Sequence, residues 1–146
     1  MALEDKQGKG TGQNMPGSNE KDAEIREILT KRSENGELAC KRALALAKES
    51  GLDPYVIGRY ADEMKLKLVA CQLGLFGYRP EKKIVKPADT IEPVLAGQIE
   101  KHLTGGRLPC AAAFEIAESM GIARMDVSSA CEAMKVSIKP CQLGAF

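Results

Sequence analysis

The sequence predicts a mainly α-helical chain in which one structural unit is used twice, each unit holding about three helices plus a short strand or hairpin. Three observations carry this. The second half of the chain repeats the first at a fixed offset. Apolar residues recur at helical spacing in both halves. Gly, Asp and Pro sit where helices have to stop and start.

The repeat is found by sliding the sequence 70 residues along itself, which aligns residues 36–76 with residues 106–146 without a gap. Thirteen of the 41 positions are then identical, where typical residue frequencies give about two or three. They include Gly36/Gly106, Leu38/Leu108, Cys40/Cys110, Ala43/Ala113, Ala47/Ala117 and Gly51/Gly121. The Met-Lys pair at 64–65 and 134–135 recurs, as does Cys-Gln-Leu-Gly at 71–74 and 141–144, with Phe76/Phe146. A fixed-period match of this kind marks a duplicated supersecondary unit.

Each copy opens on a leading helix. In the first, Ser18 or Asn19 is placed to cap a helix reaching about Arg32, with Ala23, Ile25, Ile28 and Leu29 on its apolar face. In the second, Thr90 is placed to cap a helix reaching about Leu103, and Pro93 falls in its first turn, where a missing N–H costs little. A second helix follows from about Ala39 to Ser50, ended by Gly51, which takes left-handed backbone without Cβ strain. Asp53 and Pro54 then start a third helix that runs to about Lys65. Leu66–Leu68 and Val136–Ile138 alternate as short strands do. These elements predict a tail at 1–19 with nothing to bury, a first repeat at 20–76, a linker at 77–89 marked by two prolines and a run of charges, and a second repeat at 90–146. The expected core is aliphatic: Leu38, Leu44, Ile57, Leu66, Leu68 and Phe76 in one copy, with Leu108, Phe114, Val127, Val136, Ile138 and Phe146 in the other. With only three Phe, three Tyr and no Trp, such a core is thin. Packing of the units on each other, or a homodimer, is expected to complete it.

The second and third helices of each copy resemble the helix-turn-helix DNA-binding motif: an alanine, a glycine four residues on, and a branched apolar residue six further. Ala47, Gly51 and Ile57 supply that pattern in one copy, and Ala117, Gly121 and Val127 in the other. The strand that follows makes the units winged-helix-like, with a short or missing wing because Pro140 cannot donate to a ladder. The resemblance implies a transcriptional regulator that binds double-stranded DNA through its third helices. Tyr55, Arg59 and Lys65 in one copy, and Arg124, Ser128 and Ser129 in the other, would then face bases and phosphates, with Lys82 and Lys83 of the linker adding phosphate contacts. Asp62, Glu63, Asp126 and Glu132 on the same helices would oppose a polyanion. The alternative is therefore a protein-interaction module that keeps the helical geometry without binding DNA, offering Tyr55, Val56 and Met125 as an apolar surface.

Charge and composition narrow the classes. The chain has 21 basic and 20 acidic side chains in 146 residues, so the whole molecule exerts no net pull on nucleic acid. No apolar run approaches the roughly 18–20 residues of a membrane helix, and Met1–Pro16 holds no hydrophobic stretch of the kind a secretory signal needs. A reducing cytoplasmic location is expected, in which the odd set of five cysteines forms no disulfides. Cys40, Cys71, Cys110 and Cys141 recur as two equally spaced pairs. They are the candidates for a metal or redox site, against a simpler reading as packed small residues. The single histidine, His102, and the lack of a phosphate-binding loop or nucleophile elbow point away from an enzyme and from a cofactor.

Overall fold

In the computed structural model, residues 20–146 are described. The caps expected at Ser18 and Asn19 and the tail at 1–19 lie outside them. Among the described residues the protein is mainly helical, with six helices and one small two-stranded sheet. It divides after Leu68 into two compact units.

The first unit contains α1 (Glu20–Arg32), β1 (Glu37–Ala39), α2 (Cys40–Ser50) and α3 (Pro54–Glu63), with β2 (Lys67–Val69) closing it. Helix α2 buries Cys40, Ala43, Leu46 and Ala47, a stripe at the helical period. It ends at Gly51, whose φ of 74° is the left-handed backbone that the glycine was expected to supply. Asp53 then accepts from the Tyr55 amide at 2.9 Å, and Pro54 takes the first helical position. Helix α3 buries Val56, Ile57, Gly58, Tyr60 and Ala61, so Val56 belongs to the core and not to an exposed apolar surface. After α3, Lys65 turns at φ 60° and the Leu66 amide reaches back to Ala61 O at 2.8 Å, a Schellman-type ending. β2 then pairs with β1, and the Lys67 amide donates to Gly36 O at 2.8 Å. Leu38 and Ile57 are fully buried, whereas Leu44, Leu66 and Leu68 are only partly so.

The second unit contains α4 (Pro93–Lys101), α5 (Cys110–Met120) and α6 (Arg124–Met134). Helix α4 starts two residues later than a Thr90 cap would place it: Glu92 is the N-cap and Pro93 the first helical residue. Proline suits that position because its φ is already helical and no N–H is wasted. The rest mirrors the first unit at the same 70-residue offset. Cys110, Ala113, Ile116 and Ala117 form the buried stripe of α5, Gly121 ends it at φ 67°, and Lys135 turns at φ 60°. The strand of the first unit is reduced here to a single parallel bridge between Leu108 and Ile138. The core joins Leu95, Ile99, Leu108, Ile116 and Val127 with Leu73, and Phe114, Val136 and Phe76 pack against it partly buried. Each large aliphatic side chain here, at 0–2% exposure for Ile99, Leu108, Ile116 and Val127, stabilises the unit by about 1.5–3 kcal/mol.

The Cys-Gln-Leu-Gly segment of the first copy folds as part of this second unit. Both copies of the segment make the same turn. The Gly74 amide donates to Cys71 O at 2.9 Å and the Gly144 amide to Cys141 O at 3.1 Å. The Cys71 amide donates to Phe76 O at 3.1 Å and the Cys141 amide to Phe146 O at 2.9 Å. The Phe76 and Phe146 rings then meet edge to face, 5.7 Å apart. Among the described residues, no helix is long and apolar enough to cross a membrane.

Candidate functional site: the outer faces of α3 and α6

Helix α3 keeps its polar residues outward, but their charges are spent on one another. Arg59 lies over the half-exposed Tyr55 ring, 4.8 Å from its centroid, and its Nη1 pairs with Asp62 at 2.7 Å. Glu63 is paired with Arg26 of α1. Arg26 also donates through Nε to Asp22 at 2.7 Å and stacks over Tyr60. The Asp22 bond, followed by the Glu63 bond, holds the Arg26 guanidinium well above its usual range. Burial, then a hydrogen bond with Asp22, pushes the Tyr60 hydroxyl up to about 12. This cluster ties α1 to α3 with a carboxylate that is itself only 5% exposed. Lys65 is exposed but sits past the end of α3, in the left-handed turn.

Helix α6 is arranged differently. Only Arg124 and Asp126 of its eleven residues are exposed. Ser128, expected among the DNA contacts, is fully buried, and its hydroxyl has no hydrogen-bond partner. It cannot reach a phosphate from there. Ser129 is covered by residues of the 77–89 segment: its hydroxyl donates to Lys86 O, and its carbonyl accepts from the Ala88 amide at 3.1 Å. Lys83 pairs with Glu132 of α6 at 3.0 Å. Farther back, the Ile84 and Val85 amides both donate to Gly74 O, at 2.9 and 3.1 Å, and Val85 is 7% exposed. A Cβ on Gly74 would lie 3.1 Å from Met125 Sδ and 3.2 Å from Val85 Cβ, so the glycine lets the segment and α6 close over one backbone. Met125 is accordingly half-buried rather than exposed. Arg124 is exposed, donates to Gln72 and stacks on Phe114, 4.2 Å from its centroid. Lys82 is exposed, and its amide exchanges bonds with Tyr78 in a turn.

All five cysteines are buried, and none is in a disulfide. In the second unit, the Cys110 amide donates to Pro140 O at 3.1 Å, and Gln142 Nε2 donates to Cys110 Sγ at 3.5 Å. Burial pushes the Cys110 thiol up, and Cys141 and Cys71 add to that. Burial, helped by Glu132, raises the Cys131 thiol to about 11. Thiols displaced in this direction are poor nucleophiles and poor redox sensors at neutral pH. Among the described residues, no group of three or more His, Cys, Asp or Glu side chains is placed to hold a metal ion.

Sequence reasoning missed the role of the 77–89 segment, because proline and charge read as a linker whether or not the chain lies on a surface. It also missed the Asp22–Arg26–Tyr60–Glu63 cluster. The (i, i+4) pair Asp22–Arg26 was its one signal in the sequence. No protein-family model, curated protein or solved structure matches the chain.

Proposed function

We propose that the chain is a protein-interaction module that retains helix–turn–helix geometry without reading DNA through tandem helices. The observation that carries this is the outer face of α6: residues 82–89 lie over it, and the side chains beneath and beside them are Met125, Asp126, Ser129 and Glu132, two of the four acidic. A reading helix has to bring several side chains to base edges, and α6 has two exposed residues, one of them acidic. Charge supports the same reading. Residues 20–68 hold ten Lys or Arg against ten Asp or Glu, and residues 69–146 hold nine against eight. Neither unit builds the positive field that drives phosphate binding. Exposed Tyr55 on α3 and Val94 on α4 are apolar surface on otherwise polar helices. A partner protein fits them better than a polyanion does.

One observation favours a second reading. Arg59 stacked on Tyr55 lies on the outer face of α3, and Lys41 and Arg42 are exposed at the start of α2, so DNA binding by the first unit alone is the competitor. A photo-crosslinking amino acid placed at position 55, in cells producing the protein, separates the two. Discrete protein adducts are expected, and adducts to nucleic acid would overturn the proposal. In vitro, a random duplex titrated across a salt series is expected to show no salt-dependent association. A log–log slope of several would restore the DNA reading.

A further inference from the structure

We propose that residues 82–89 form an autoinhibitory strap, which masks the outer face of α6 and lifts while α4, α5 and α6 stay folded. The segment is bound at one edge. Its single buried side chain, Val85, lies over Gly74 and outside the core cluster that holds α4–α6 together. Lys82, Lys83, Lys86, Pro87 and Asp89 are all exposed. Its attachments to α6 are two hydrogen bonds at Ser129 and the Lys83–Glu132 ion pair, whose two side chains are 50% and 26% exposed. Fixing the backbone of an irregular segment costs ordering entropy at every residue, and these contacts, with the Ile84 and Val85 amide bonds to Gly74 O, are what oppose it. Segments held in this way open locally at far lower free energy than the core.

The core side of α6 needs nothing from the strap. Val127, Ala130 and Cys131 are packed at 0–1% exposure within the α4–α6 cluster. Lifting therefore uncovers Met125, Ser129 and Glu132 without opening the unit. That surface has the chemistry of its present occupant. It takes a peptide segment with a cation for Glu132, backbone groups for Ser129 and a β-branched residue for Gly74, and a partner protein presenting such a segment would compete with the strap. The use of the face rests on the protein-interaction reading; the lifting does not.

Hydrogen exchange tests the motion. The Ile84, Val85 and Ala88 amides are expected to exchange at least a hundredfold faster than those of Ala117 and Cys131. The double variant Lys83→Glu, Ser129→Ala is expected to speed the first three a further tenfold or more and leave the helix amides unchanged. A second measurement does not rely on exchange. A thiol introduced by Met125→Cys is expected to be alkylated at least tenfold faster in the double variant, against the background of five buried native thiols, while Cys131 keeps its rate. Strap and helix amides exchanging with equal protection, or accelerating together, would overturn the proposal by making the strap part of one cooperative unit. DNA adducts at position 55 with a mobile strap would instead defeat only the protein-interaction reading.

Discussion

Replacing Ser128 by Ala should make the protein more stable, although the position falls on the helix that would read DNA. The hydroxyl is fully buried and makes no hydrogen bond. Its desolvation is uncompensated, which costs about 1–3 kcal/mol. Alanine is also the better helix former in the middle of α6, by up to about 0.5 kcal/mol. Against this stands the small void left by one oxygen, which costs less than about 1 kcal/mol. The balance is a gain of about 1–2 kcal/mol. For a chain of 146 residues that raises the thermal midpoint by about 3–8 °C, read by calorimetry or far-ultraviolet circular dichroism. An unchanged or lowered midpoint would refute the reasoning, because it would show that the hydroxyl has found a partner.

Three further outcomes are expected. Gly77→Ala should destabilise the second unit by about 3 kcal/mol or more, measured by urea unfolding: Gly77 has φ 82°, and a Cβ there would stand 2.5 Å from both Ala70 N and Val69 Cα. Ile99→Ala should cost about 2–5 kcal/mol in the same assay, since Ile99 is fully buried among the α4–α6 contacts. Stability should fall on the alkaline side. The Cys131 thiol is raised from 9.0 to about 11 in the fold, so its contribution is fully present below pH 9 and is lost as the pH climbs through 11, by at most about 2–3 kcal/mol. Tyr60, raised from 10.0 to about 12, extends the loss to higher pH. Cys131→Ala should flatten the first part of the profile, and a profile identical to the parent's would count against that assignment.

The backbone of this protein is legible in its sequence because its stops and turns are set by local chemistry. Gly51 and Gly121 take the left-handed conformation at matching helix ends, and Asp53 with Pro54 opens α3 as capping rules require. The start of α4 was misplaced because Thr90 is as good a cap as Glu92 is a poor one, and only the proline decides between them. The surface was far less legible. Ser128 was read as a DNA contact from its residue type, yet its counterpart in the first copy is Gly58, also buried. Small residues at both equivalent positions marked a crowded site, and that comparison was the available signal. The strap left no such signal, since contact between an irregular segment and a helix has no period to detect.

The two copies also differ in what they have kept. Positions that set backbone geometry are shared: Gly36/Gly106, Gly51/Gly121, Gly74/Gly144 and the Lys65/Lys135 turns, all with positive φ. Positions on the third helix that would meet DNA are not shared, since Tyr55 becomes Met125, Arg59 becomes Ser129, and Lys41-Arg42 at the start of the preceding helix becomes Ala111-Ala112. Within the aligned stretches 36–76 and 106–146, the one cation common to both, at 65 and 135, lies beyond the helix in a turn that ends it. A tandem reader places two helices against equivalent phosphates one helical turn apart, which requires matching donors in both copies. The repeat has retained the residues that bend the chain and lost any common set of donors, the pattern expected when a scaffold is duplicated and each copy then serves a different contact.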